Sequence, residues 1–367
     1  MKIAIVANTT WYISNFRSSL IKQILATGHD VIVISPKDGS ETKISELKAS
    51  YLPWKLDSRN LNLFNEALSF LDLFKKLKQS RVDLVLSFTP KGNIYSNLIA
   101  RLLKINYIPN ISGLGGGFVD NNVLTNYLFK MLYKVSLKKA QEVLFQNNED
   151  MSFFNEHNIF IGPKFRLPGS GVNLDHFSPK SPSSDCKSFL LVARLIWSKG
   201  IGEYVEAARQ IKQKYKNLEF NILGFIDHLH PDGISKETIT KWHHQGVINY
   251  LGDTDDVRQY LQETDCVVLP SYYREGVPRT LLEAASMAIP IITTNHQGCR
   301  DAVNDEESGF LCEVKNPEDL EKKLIRMIEL SPAQLQDLGE AGRKKMENEF
   351  DENIVLDKYK NLIEGLA

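Results

Sequence analysis

A chain of 367 residues is long for one domain and comfortable for two, each able to bury its own core. Hydrophobic residues make up 43 % and charged residues 24 %, which excludes an intrinsically disordered chain. The formal net charge is -1, split between a basic first part (residues 1–180, 22 Lys+Arg against 14 Asp+Glu) and an acidic remainder (22 against 31), without the concentrated basic stripe of a duplex nucleic-acid binder.

Residues 1–10 are a short apolar run ending in polar residues, with no cleavage pattern, and read as a first strand, Ile3 to Ala7, not a signal peptide. A helix from about Ser14 to Thr27, the Gly28-His29-Asp30 turn and a strand from Val31 to Ser35 complete a βαβ unit. Its repetition through Leu84 to Phe88, Tyr107 to Ile111 and Val143 to Gln146 predicts a parallel sheet flanked by helices. The Pro/Gly/Ser-rich stretches 167–173 and 178–184 mark an interdomain hinge. Alternation then restarts with strands at Ser188 to Val192, Phe220 to Leu223, Ile248 to Leu251, Cys266 to Leu269, Pro290 to Thr293 and Gly309 to Cys312, separated by helices such as Gly202 to Tyr215 and Arg279 to Ala288. The expected fold class is α/β, with doubly wound domains at 1–175 and 176–349 and a C-terminal helix at about 350–367 packing back onto the first. Four widely spaced cysteines without zinc spacing predict reduced thiols in a cytoplasmic protein, and no run of 18 apolar residues predicts a membrane span.

Ligands of open parallel sheets bind beyond the carboxyl ends of strands, so the loops there carry the chemistry. The segment Pro270 to Ala284 follows a buried strand and opens a helix. Gly276 permits close backbone approach and Pro278 suits a first helical turn, so the Gly276 and Val277 amides can point at an anion such as a diphosphate. Glu275 and Glu283 stand too far apart for one hydroxyl, and would grip the hexose and the ribose of one elongated ligand; a dipole-satisfying acid plus a solvated one is the bland alternative. Arg194 and Lys199, just after the first strand of the second domain, can balance the charge on a departing nucleotide diphosphate.

Arg194 to Gly200, taken with two acids separated by seven residues, Glu275 and Glu283, resembles the retaining glycosyltransferases related to glycogen synthase (family 4). The resemblance covers almost the whole chain and implies the GT-B architecture, two Rossmann-like doubly wound domains facing a central cleft. Tyr273 to Arg279 is similar to bacterial enzymes of capsule, O-antigen and glycoprotein-glycan assembly, including N-acetylgalactosaminyltransferases that extend undecaprenyl-diphosphate-linked sugars. By that resemblance Arg194 and Lys199 take the donor phosphates, Glu275 the donor sugar and Glu283 the ribose, with Arg194, Lys199 and Glu275 catalytic. It further implies a retaining, metal-independent hexosyltransferase with no cofactor. The donor is a UDP-sugar, best UDP-GalNAc or UDP-GlcNAc, the acceptor a polyprenyl-diphosphate-linked sugar at the inner face of the membrane, and no nucleic acid takes part.

In the first domain the loop Gly113, Gly115 and Gly116 forms an anion nest for phosphate or acceptor, or simply a tight turn; Phe118 stands where a dinucleotide fingerprint needs glycine, which argues against NAD. Thr9 and Thr10 stand where relatives carry a glycine pair contacting donor and acceptor, and the histidine that relatives place near the reacting sugar is missing, leaving Thr89, Lys91 and Asp120 as substitutes to test. Tyr127 to Lys139 mixes large apolar residues with four lysines and suits either an anionic membrane surface or an ordinary amphipathic helix. Asp253-Thr254-Asp255 has the look of a metal motif but lies at a strand exit, where capping is the better expectation. A nucleotide-sugar 2-epimerase, which needs no acceptor, and a non-catalytic sugar-nucleotide-binding protein are the competing functions.

Overall fold

The first strand, β1 (Lys2–Val6), is apolar on both sides: Ile3 and Ile5 are buried in one cluster, Ala4 and Val6 in another. Only a parallel sheet covered on both faces holds such a run. A computed structural model describes residues 1–56, 62–114, 123–181, 185–228, 230–274 and 276–366. The chain divides into two units, Met1–Ser170 with Asn353–Ala367, and Gly171–Glu352.

In the first unit β1 leads through α1 (Thr10–Phe16) and α2 (Ser18–Ala26) to β2 (Asp30–Ser35), α3 (Glu41–Glu46), β3 (Ser50–Pro53) and α4 (Leu63–Ser80). Then come β4 (Leu84–Phe88), α5 (Pro90–Leu103), β5 (Asn106–Ile111), α6 (Val123–Ser136), β6 (Val143–Phe145), α7 (Asn148–Glu156) and β7 (Lys164–Arg166). Among the described residues the strands pair in the order β3-β2-β1-β4-β5-β6-β7, so direction of growth reverses between β1 and β4.

The second unit runs β8 (Ser188–Val192), α8 (Ile201–Lys214), β9 (Glu219–Leu223), α9 (Lys236–His244), β10 (Asn249–Tyr250), α10 (Arg258–Gln262), β11 (Cys266–Leu269), α11 (Arg279–Ser286), β12 (Ile291–Thr294), β13 (Gly309–Cys312), α12 (Pro317–Ile328) and α13 (Pro332–Lys345). Its strand order β10-β9-β8-β11-β12-β13 reverses between β8 and β11. Helix ends follow local chemistry: Asn316 caps α12 with Pro317 in first position, and Ser331 with Gln334 forms a capping box on α13.

The last helix, α14 (Glu352–Glu364), belongs to the first unit from Asn353 onward, where Val355, Tyr359 and Ile363, four residues apart, form one buried stripe in the β1 core. Gly171 is fixed by the same passage. It sits at φ 72°, and a Cβ there would press on the Glu352 backbone.

Differences from the expected elements have local causes. The helix expected from about Ser14 to Thr27 is two helices: it begins at Thr10 because the Thr9 hydroxyl accepts from Tyr12 N–H at 3.2 Å, and it breaks at Arg17, whose φ of -130° is not helical. Edge strands β3 and β7 are not legible in the sequence, being short and, in β3, ending on proline. The strand expected at Ile248 to Leu251 shrinks to Asn249–Tyr250 at the other sheet's edge.

Candidate active site

Arg194 and Lys199 lie just past the end of β8, beside the reversal of strand order in the second unit. The chain from Ile196 to Gly200 is pinned from two sides. Trp197 N–H donates to the Asp232 carbonyl at 2.9 Å, and Ser198 N–H to the Asp232 carboxylate at 2.8 Å. From the other side Tyr272 N–H donates to the Ser198 carbonyl at 2.9 Å, which stitches the segment after β11 to the one after β8. Gly200 is required here. It takes φ 75° and packs so close to Pro270 that a Cβ would collide with the Pro270 carbonyl.

This stitching brings the two cations onto one ring. The Lys199 ammonium lies 5.4 Å and the Arg194 guanidinium 5.8 Å from the centre of Tyr273. Lys199 is 8 % exposed, while Arg194 pairs loosely, at 3.9 Å, with Asp227, itself buried in the loop after β9. Sequence reasoning assigns no part to Tyr273 or Asp227. Tyr273 lies within the quoted motif, but its role depends on contact with residues about eighty positions away, and Asp227 arrives from the neighbouring strand.

Val277 is 7 % exposed and Gly276 is buried, directly before α11. Pro278, expected in the first helical turn, is instead the N-cap residue, and no side chain caps the helix, leaving its amide end open. The Thr280 hydroxyl donates to the Val192 carbonyl at 3.3 Å and so fixes this helix start against the end of β8. Glu283 lies one turn into α11 and forms an ion pair with Arg279 at 2.7 Å. Burial pushes its carboxyl above the usual carboxylate range, an effect that Arg279 opposes. Glu275 lies outside the described residues.

Thr9 is the N-cap of α1 in the first unit. Thr10, the first residue of α1, is fully buried, and its hydroxyl is bonded to the Pro36 carbonyl at 2.6 Å and the Ser35 hydroxyl at 2.7 Å, which ties the start of α1 to the end of β2. Gly113 is described, at φ 128°, whereas Gly115, Gly116 and Asp120 lie outside the described residues. Lys91 pairs with Glu66 at 2.7 Å. The Asp253 to Asp255 segment is a turn before α10 in which Asp256 binds Arg258, and among the described residues no group of three or more His, Cys, Asp or Glu side chains is placed to hold a metal.

Comparison with known proteins adds to this geometry. The family model described as glycosyl transferases group 1 matches residues 175–345, and the one described as glycosyl transferase 4-like matches residues 2–147. The N,N'-diacetylbacillosaminyl-diphospho-undecaprenol alpha-1,3-N-acetylgalactosaminyltransferase of Campylobacter jejuni is 28 % identical, over 99 % of this chain and 98 % of its own. A UDP-Gal:alpha-D-GlcNAc-diphosphoundecaprenol alpha-1,3-galactosyltransferase of Escherichia coli is 27 % identical, over 83 % of this chain and 81 % of its own. Among solved structures, a glycosyltransferase from Rickettsia africae matches with a TM-score of 0.78 at 20 % identity, covering 100 % of this chain and 98 % of that one. Anabaena HepE in complex with UDP matches with a TM-score of 0.80 at 14 % identity, covering 100 % of both.

Proposed function

We propose that this chain, a glycosyltransferase of the group 1 and 4-like families with the GT-B fold, moves a hexose or N-acetylhexosamine from a UDP-sugar to a polyprenyl-diphosphate-linked sugar, with retention of anomeric configuration. The single observation that carries the donor half is the convergence of Arg194 and Lys199 on Tyr273 beside the uncapped start of α11. Two cations and a helix N-terminus are what a leaving diphosphate needs, and in many enzymes stabilisation of developing charge by groups already in place contributes most of the rate enhancement. The acceptor half rests on the full-length relative from Campylobacter, whose name gives a lipid diphosphate sugar as acceptor.

In this reaction the acceptor hydroxyl attacks the anomeric carbon from the face that UDP leaves. The bond from that carbon to the acceptor oxygen forms, the bond to the phosphate oxygen breaks, and a phosphate oxygen takes the proton. Glu275 holds the donor sugar and Glu283 the ribose, Gly276 and Val277 offer backbone N–H groups to the diphosphate, and Arg194 with Lys199 supplies the positive charge, so that no divalent ion or cofactor is called on.

The acceptor's lipid places the enzyme at the cytoplasmic face of the inner membrane. α6 supports this: Leu124, Tyr127, Leu128, Met131 and Val135 form one outward stripe, between 41 % and 74 % exposed. On α4, Phe64, Leu68 and Leu71 form a second such stripe, from 50 % to 72 % exposed, and α5 packs against both helices. Lys75, Lys78 and Lys134 extend the stripes as exposed cations. Apolar residues backed by lysines suit an anionic bilayer surface. Among the described residues no helix is long and apolar enough to cross a membrane.

The test is a thermal-shift screen of nucleotide sugars followed by transfer from the best donor to short lipid-diphosphate saccharides. Stabilisation by a UDP-sugar and a lengthened saccharide are expected. Release of an epimerised nucleotide sugar without acceptor identifies an epimerase instead, and binding without turnover a non-catalytic protein.

A further inference from the structure

Arg17 is a cation that the fold buries with no carboxylate paired to it among the described residues. It joins α1 to α2, is 2 % exposed, and its guanidinium carbon lies 4.5 Å from the centre of the Phe88 ring and 5.4 Å from that of Tyr12. Nη2 donates to the Tyr12 hydroxyl at 2.8 Å, and Nε is buried with no hydrogen-bond partner among the described residues. A guanidinium keeps its charge and has five donors to satisfy. Two aromatic faces offset only part of the cost of removing it from water, and a buried polar group left unsatisfied calls for an explanation such as an absent ion.

Its location supplies one. Phe88 ends β4, the strand beside β1, and the order of strands reverses between those two, which is where open parallel sheets take ligands. The loops leaving β1 and β4 are locked together there: Asn8 N–H donates to Thr89 Oγ1 at 2.9 Å, and Gly92 N–H donates to Asn8 Oδ1 at 2.8 Å. Thr89 is held at φ 65°, a strained conformation for a branched residue that persists only where its surroundings enforce it. The next residue starts α5, 14 residues long, with no acid in its first turn; Thr89 lends it no side-chain cap, Asn8 takes the Gly92 amide, and the positive end of the helix lies at this same edge.

We infer that Arg17 is an anion-binding residue of the first unit and that its anion is the diphosphate of the lipid-linked acceptor, an assignment that rests on the acceptor proposed above. The donor diphosphate goes to Arg194 and Lys199 in the other unit. Lys91, a second cation of this edge, already answers to Glu66. Arg17 therefore sets affinity for the acceptor head group and leaves donor binding alone.

The test uses the full chain with Arg194→Ala and Lys199→Ala, so that inorganic pyrophosphate cannot report on the donor residues. Hydrogen exchange in the segments 8–19 and 88–93 is expected to slow when pyrophosphate is added, and the effect is expected to vanish with Arg17→Met. Unchanged exchange in both segments overturns the assignment without any substitution at Arg17, and so does a pyrophosphate effect that survives Arg17→Met. In the otherwise native chain, Arg17→Lys keeps the charge and loses the fork; it is expected to raise KM for the lipid-diphosphate acceptor at least about tenfold with KM for the UDP-sugar unchanged. A change in both constants, or in neither, assigns Arg17 to structure alone. Failure of the donor reading shows separately, as loss of UDP binding by the native chain.

Discussion

Lys199 and Arg194 approach one tyrosine ring from a loop that glycine and backbone bonds pin, and in the proposed reaction their worth lies in being in place before charge develops. Lys199→Ala is expected to lower kcat by about 10²–10³, which is about 2.7–4 kcal/mol of transition-state stabilisation, and Arg194→Ala by a similar factor. Steady-state kinetics with a melting curve on each variant checks this, since neither side chain belongs to a core. Glu283 makes a second prediction. Burial raises its carboxyl, so the folded state holds that proton more tightly than the unfolded chain does. Its contribution to stability is complete below the ordinary carboxylate range and is lost as pH rises through the raised value. Denaturant unfolding from acidic to neutral pH should therefore show a smaller loss of stability for Glu283→Gln than for the native chain. Sequence alone makes the motif cations legible, because their spacing after a strand is local. It leaves Tyr273 and Asp227 hidden, since their parts depend on which strand lies next to which, and Arg17 reads as one more solvated helix cation until its burial is known.

At the scale of elements, the apolar core of β1, β4 and β11 is legible because strands buried on both faces are continuous apolar runs. The edge strands β3 and β7 are not, for they bury less and carry polar residues. Helix α6 shows a different limit. Its apolar residues are visible in the sequence, but periodicity cannot distinguish the face that holds Tyr133 in the core from the one that exposes Tyr127 and Leu128. Replacing Leu124, Leu128 and Met131 together by serine is expected to release the protein from vesicles containing anionic lipid, because each apolar side chain seated in a membrane contributes about 1.5–3 kcal/mol. Flotation measures it, and transfer to a water-soluble acceptor should remain within about twofold, as these residues touch no reacting group. Equal flotation of the variant and the native protein would remove α6 from the membrane contact.

The whole chain carries a division of labour. In the proposed reaction a basic first unit, with a strained, cross-linked edge at its strand reversal, meets the acceptor, and an acidic second unit, with two cations gathered at its own reversal, holds the donor. The two doubly wound units follow from alternation of strand and helix in the sequence; the four-residue spacing of Val355, Tyr359 and Ile363 shows that α14 has a buried face, and the fold seats that face in the first unit's core. Which sugar moves is not legible in these elements, because the contacts that would select it depend on loop conformation and not on residue spacing. The most direct measurement is mass spectrometry of a lipid-diphosphate saccharide incubated with UDP-GalNAc or UDP-GlcNAc and the native chain, beside the Arg194→Ala/Lys199→Ala variant. A gain of one N-acetylhexosamine with the native chain and none with the variant is the predicted result. An acceptor of unchanged mass with both donors, or equal gain with both proteins, contradicts the account.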